Sequence, residues 1–178
     1  MKISHQKFDQ KTQSGFSLIE TLVAISILLV AIGGPMSIAH KALSDANLAK
    51  SQTTAIFLAQ DAIEYIKNIR DKNNINGDAW LTTISSLCGT ACKIDSAADS
   101  ITSCSGSCPV LKFDDTTGIY SYNGALPDSP FTRTITVVTP VGGNSNEASI
   151  SVTLEWNSGV LTKSFVAREN ILNWNGSD

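Results

Sequence analysis

The sequence predicts an α+β chain: one long N-terminal helix, half of it membrane-spanning, packed by its other half on a small antiparallel sheet. Three observations carry this. From Thr21 to Ala39 run 19 residues without a charge, enough to cross a bilayer core of about 30 Å. Apolar residues then recur at three- and four-residue spacing, Ala55, Leu58, Ala62, Tyr65, Ile66 and Ile69, which makes one helical stripe. Near the C-terminus the period falls to two. Phe131, Arg133, Ile135 and Val137 alternate with Thr132, Thr134 and Thr136, and Ile150, Val152, Leu154 and Trp156 alternate with polar residues.

The elements follow in order. Met1 to Gly15 is a short polar leader without apolar periodicity, 16–39 a membrane or filament-core helix, and 40–178 a head that includes the second half of the helix. Phe16 to Ile32 should be helical and about 26 Å long. Gly33-Gly34-Pro35 would break a helix in a soluble protein and is tolerated as a kink in a membrane. The helix resumes and is expected to reach about Arg70 to Lys72, ended by Asn73-Asn74-Ile75-Asn76-Gly77. Asp78 to Leu87 reads as a short helix capped by Asp78. Strands are expected at Leu111–Phe113, Ile119–Tyr122, Phe131–Thr139, Ala148–Trp156 and Val160–Ile171, with Gly142-Gly143-Asn144 and Asn157-Ser158-Gly159 as turns.

Charge bounds the topology. The leader has Lys2, Lys7 and Lys11 against Asp9, a net +2; with −3 for the whole chain, the remainder carries −5. Basic residues on the N-terminal side hold that end in the cytoplasm and send the head across the membrane. No basic patch argues for nucleic acid. An ordinary secretory signal, cut near Ala31 or Ala39, is the competing reading. Glu20 inside the apolar segment and the helix that continues from it oppose that reading.

Four cysteines form two C-x3-C pairs, Cys88/Cys92 and Cys104/Cys108. Export favours disulfides. Local pairs would each tie a glycine-containing loop; nested pairs, Cys88–Cys108 and Cys92–Cys104, would staple a hairpin. A four-thiolate zinc site is disfavoured by the spacing. Asp71 to Asp78 looks like a calcium loop but puts Ile75 in a ligand position and Thr82 where the closing Glu belongs. Asp114-Asp115 reads as a turn. No metal or cofactor is expected. The two histidines, His5 and His40, both lie outside the later head sequence, so no histidine-based catalytic pair can form there and an enzyme is not expected. Trp80, Trp156 and Trp174 read as packing residues, and Arg168 and Glu169 as solvated or edge charges.

Glu20 is the oddity. A carboxylate in an apolar span is costly and calls for a partner; at headgroup level it would need none. Ser14-Gly15-Phe16 places a residue without Cβ ahead of a bulky one, as suits an extended peptide entering a protease site. A cut after Gly15 would give Phe16 an α-amine one helical turn from Glu20, and the two charges could neutralise each other between neighbouring subunits.

Gly15, Phe16, Glu20 at the fifth position after the cut, and the apolar run resemble the signal of type IV prepilins and type II secretion pseudopilins. The resemblance implies a pilin fold, cleavage between Gly15 and Phe16 by a prepilin peptidase that also methylates Phe16, and Glu20 guiding assembly. It implies as partners that peptidase, other pilin subunits, an inner-membrane assembly platform with its ATPase system, and the membrane. Helix loosening at Gly33, Gly34 and Pro35 is implied in the same way. Ala55 to Glu64 resembles minor pilins of the PilV type and pseudopilins of the GspI type. The expected role is a minor pilin-like structural subunit. It would be held in the inner membrane before assembly and then lie in a surface or periplasmic filament. A secretion pseudopilin, or a membrane-tethered adhesin, is the alternative.

Overall fold

A computed structural model of the chain describes residues 15–105 and 107–174. Residues 1–14 of the leader expected at 1–15 lie outside the described residues, as does Gly106 in the second cysteine loop. The chain divides into two compact units, Met1–Ala46 and Asn47–Asp178.

Helix α1 (Leu18–Asn76) contributes to both units. It begins two residues later than expected, after the non-helical residues 15–17. It stays helical through Gly33, Gly34 and Pro35, so the expected break does not interrupt the assignment. Proline removes a single N–H, and the surrounding turns of strong helix formers continue past it. In the first unit every described side chain of α1 is exposed, and the segment is long and apolar enough to cross a membrane by length and composition.

In the second unit α1 buries Ala55, Leu58, Ala59, Ala62, Ile63 and Ile66, with Tyr65 and Ile69 half-buried beside them. This is the predicted stripe, widened by Ala59 and Ile63. The alanines let the sheet approach closely, and full burial of Leu58 or Ile66 contributes about 1.5–3 kcal/mol each. The helix ends four residues beyond the expected Lys72. Gly77 takes φ 78°, its N–H donates to Asn74 O (3.4 Å), and Asp78 N–H donates to Asn73 O (2.9 Å). Those bonds form a Schellman stop. The stop signal was therefore Gly77 rather than the asparagines before it.

Helix α2 (Thr82–Cys88) starts after Leu81 with no side-chain cap, so Asp78 does not cap it. Its turn is closed instead by Thr82, whose N–H and Oγ1–H both donate to Ala79 O.

Among the described residues seven strands form one antiparallel sheet: β1 (Cys92–Asp95), β2 (Ser100–Ser103), β3 (Val110–Asp114), β4 (Ile119–Ser121), β5 (Asp128–Val138), β6 (Glu147–Ser158) and β7 (Leu161–Leu172). β5 is central. One of its edges is shared by β1 and β3, and the other pairs with β6, which pairs with β7. Strict alternation buries Phe131, Arg133, Ile135 and Val137 of β5 and Ala148, Ile150, Val152, Leu154 and Trp156 of β6 against α1. β6 and β7 turn at Gly159-Val160, where Gly159 has φ 64°; Asn157 and Ser158, expected in the turn, belong to the strand. Gly142 and Gly143, both at positive φ, make the turn bridged by Val141 and Asn144.

The β1–β2 hairpin is absent from the predicted strand set. Its strands are four residues each and carry no long alternation. Its turn is held by Asp95, whose carboxylate accepts Ala98 N–H (3.2 Å) and Tyr122 N–H (2.7 Å).

Candidate functional site: the N-terminal signal and the strut of the head

In the first unit the chain is non-helical at Gly15, Phe16 and Ser17, and all three are exposed. Helix α1 starts on a cap made by Ser17. Its side-chain oxygen accepts the N–H of Glu20 (3.3 Å), and its carbonyl accepts the N–H groups of Glu20 (3.1 Å) and Thr21 (3.2 Å). Ser17-Leu18-Ile19-Glu20 is thus an S-x-x-E capping signature. Glu20 lies in the first helical turn, where the partial positive charge of the helix N-terminus favours an acid by about 0.3–1 kcal/mol. The sequence reading missed this second reason for an acid at position 20, although its four-residue signature is visible. The N-terminus of the apolar helix therefore presents an accessible non-helical tripeptide, then a capped turn with a carboxylate.

The family description "prokaryotic N-terminal methylation motif" matches residues 10–34. The chain carries the type IV pilin and pseudopilin signature. The match covers Gly15, Phe16 and Glu20 and ends just before Pro35. The pilin-like architecture beyond it rests on the α+β fold of the second unit. Proteins with this motif are structural components rather than enzymes, and the motif together with the apolar helix fits a membrane-anchored pilin. No curated protein and no solved structure matches the chain.

The second unit has its own polar centre. Arg133 projects from β5 into the core and is buried. It donates to Leu58 O (2.8 Å) and Asp61 Oδ2 (2.8 Å) on α1 and to Ile94 O (2.5 Å) on β1. One guanidinium thereby ties helix, central strand and hairpin together. Asp61 also accepts Ser96 Oγ–H (3.0 Å). At the other end of the stripe Lys67 pairs with Glu169 of β7 (2.6 Å). Glu169 is therefore tied to the helix, whereas Arg168 beside it is exposed. Trp156 is buried in the core, and Trp174 donates Nε1–H to Asp71 (2.9 Å).

The disulfides are Cys88–Cys92 and Cys104–Cys108. The hairpin register explains why nested pairs do not form. Cys92 lies opposite Ser103 and Ala91 accepts the N–H of Cys104, so Cys92 and Cys104 are one residue out of step and on opposite faces. Among the described residues no group of three or more His, Cys, Asp or Glu could hold a metal. Asp114 spends its carboxylate on its own turn, accepting from Thr116 N–H and Thr117 Oγ1–H, which holds it below the usual range.

Tyr65 donates its hydroxyl to Asp99 Oδ1 (2.7 Å). Burial and the adjacent Asp99 carboxylate push Tyr65 up from 10.0 to about 12. A tyrosine that ionises later in the folded chain contributes stability in full below pH about 10 and loses it as pH rises to about 12. Replacing Tyr65 with Phe is expected to flatten part of that alkaline loss. Urea midpoints measured for both chains at pH about 9 and about 11 check it; an unchanged slope would contradict the assignment. Tyr120 and Tyr122 are also raised by burial, so the slope should shrink rather than vanish.

Proposed function

We propose that this chain is a minor pilin-like subunit, cut between Gly15 and Phe16, N-methylated at Phe16 and assembled into a type IV pilus filament. The observation that carries the reading is the methylation motif falling on an exposed, non-helical Gly15–Ser17 segment directly ahead of an apolar helix. A peptidase needs an accessible, non-helical substrate, and an exposed Gly15–Ser17 ahead of α1 supports that reading. In this reading the partners are a prepilin peptidase/methylase, other pilin subunits, and an inner-membrane platform with its ATPase. Residues 1–15 leave as a leader, 16–39 form the membrane and filament-core helix, and 40–178 the exported head. The lysines of the leader keep the N-terminus cytoplasmic before assembly. A type II secretion pseudopilin would use the same signal, and the stretch Ala55–Glu64 resembles both; its likeness to PilV-type proteins is the ground for a minor rather than a major subunit.

Glu20 receives the methylated amine of a neighbouring Phe16. A methylated secondary amine is still a cation, and an apolar filament core leaves neither charge another partner. The test compares Glu20→Gln with Glu20→Ala. Glutamine keeps the capping signature but removes the charge. Both variants are expected to be cut normally and to be depleted from sheared filaments relative to membranes. If only the alanine variant fails, Glu20 acts as a cap alone; if both enter filaments normally, the pairing role is wrong.

A further inference from the structure

The free edge of β7 is long and regular. β7 is 12 residues long, has no proline or glycine, and pairs with β6 through its whole length without a register shift. Among the described residues its other edge has no strand partner. Long edges of this kind are usually blunted by a bulge, a proline, short length or charged side chains; β7 has only the last, in Lys163, Arg168 and Glu169, and these can be answered by opposite charges on a partner strand.

Register decides which groups that edge offers. Asn173 N–H donates to Asn146 O (2.9 Å), and the pairing continues unshifted from Glu147 opposite Leu172 to Ser158 opposite Leu161. Antiparallel pairs alternate between bonded and non-bonded. The odd-numbered residues of β7 therefore turn their backbone groups to β6, and Thr162, Ser164, Val166, Arg168 and Asn170 turn theirs outward.

We infer that two copies of this chain join head to head by antiparallel pairing of their β7 edges, centred on Val166. In that register Lys163 of each copy faces Glu169 of the other, and Phe165 faces Ala167. On the solvent face Val166 meets its own copy, and Val160 meets Leu172. The exposed apolar residues of the strand are Leu161, Val166 and Leu172; Leu161 faces Ile171, Val166 its own copy, and Leu172 the Val160 of the turn ahead of the other strand, while the polar Thr162 and Ser164 face Asn170 and Arg168. Sliding the centre to Phe165 or Ala167 sets Lys163 and Glu169 against apolar side chains instead. Opposite charges across a strand pair favour it and mismatched ones do not. A two-fold perpendicular to the sheet makes the contact the same from both sides. It also reverses the α1 segment packed on that sheet, so the two heads meet in opposite orientations. The inference does not depend on processing at Gly15.

The test uses the full chain in detergent micelles, where both orientations are free. Cysteines placed at Lys163 and Glu169 together cannot bond within one chain, since six residues of strand separate them by about 20 Å. Across the proposed joint they lie in a non-bonded pair at about 4.5 Å between Cα atoms. Oxidation is expected to give a disulfide-linked dimer from K163C/E169C and none from K163C/A167C, which is out of register. Adding Val166→Pro removes an outward N–H that β6 does not use, and is expected to abolish the dimer while thermal unfolding persists. Val166→Lys sets like charges face to face and should do the same if proline disturbs the head. A purely monomeric K163C/E169C, equal linking of both cysteine pairs, or a dimer that survives both Val166 changes in a folded head would overturn the proposal.

Discussion

A chain with Gly15→Arg is expected to accumulate uncut, with residues 1–15 still attached, and to be absent from filaments. The cause would lie in the peptidase and not in the chain. A Cβ built on Gly15 meets nothing within 4 Å, and the segment is exposed and non-helical, so arginine costs the chain's own structure nothing. What it changes is the fit of an extended peptide in a site that accepts a residue without a side chain. Gly15→Ala adds a single methyl and should be cut at a reduced rate. The check is the apparent mass of the membrane-bound chain with and without the peptidase. Equal cutting of the arginine variant would remove Gly15 from the signal. Proposed Phe16 methylation would also be lost, because no free amine forms there.

The second large effect is on stability. Replacing Arg133 with methionine is expected to destabilise the head by about 3 kcal/mol. Methionine fills much of the same space, so the loss comes from polar groups rather than a void. The carbonyls of Leu58 and Ile94 each lose a charged donor, and a hydrogen bond to a charged group contributes about 1.5–3 kcal/mol. Breaking a buried ion pair typically costs about 3–5 kcal/mol, but Asp61 has 40% of its side chain exposed and recovers water, which holds the total near the lower end. Asp61→Asn keeps an acceptor and leaves Arg133 its two carbonyls, so its cost should be about 1 kcal/mol. Set against a usual domain stability of about 5–15 kcal/mol, the Arg133 change is the more damaging by far. Urea unfolding of the full chain in micelles, followed by tryptophan fluorescence, measures both. Equal midpoints for Arg133→Met and the parent would show that the strut is not needed.

These residues also show what the sequence made legible. The apolar stripe of α1 and the β5 and β6 faces could be read because their periods are long and regular. Arg133 was visible too, since it shares a strand face with Phe131, Ile135 and Val137; a charge on that face has to find partners inside. Its partners could not be read, because Leu58 and Ile94 are 75 and 39 residues away and backbone carbonyls leave no mark in a sequence. The β1–β2 hairpin escaped for a different reason. Its strands are too short for alternation to show, and an Asp95 side chain, not a glycine turn, shapes it. Asp78 looked like a cap by residue type, yet tertiary context placed the α2 start beyond it. The cysteine pairing turned on a one-residue register between Cys92 and Ser103, which spacing alone leaves open. At the N-terminus the motif over residues 10–34 was legible because such signals are local in sequence. The Ser17 cap was equally local and was overlooked because the acid already had another reading.

The central claim is that the chain is processed at the start of its apolar helix. The measurement is the mass of the N-terminal peptide from protein isolated from membranes of cells that make the peptidase. The account predicts a peptide beginning at Phe16 and carrying one methyl group on its amine. An intact Met1 start, or a start near Gly33 or His40, would contradict it.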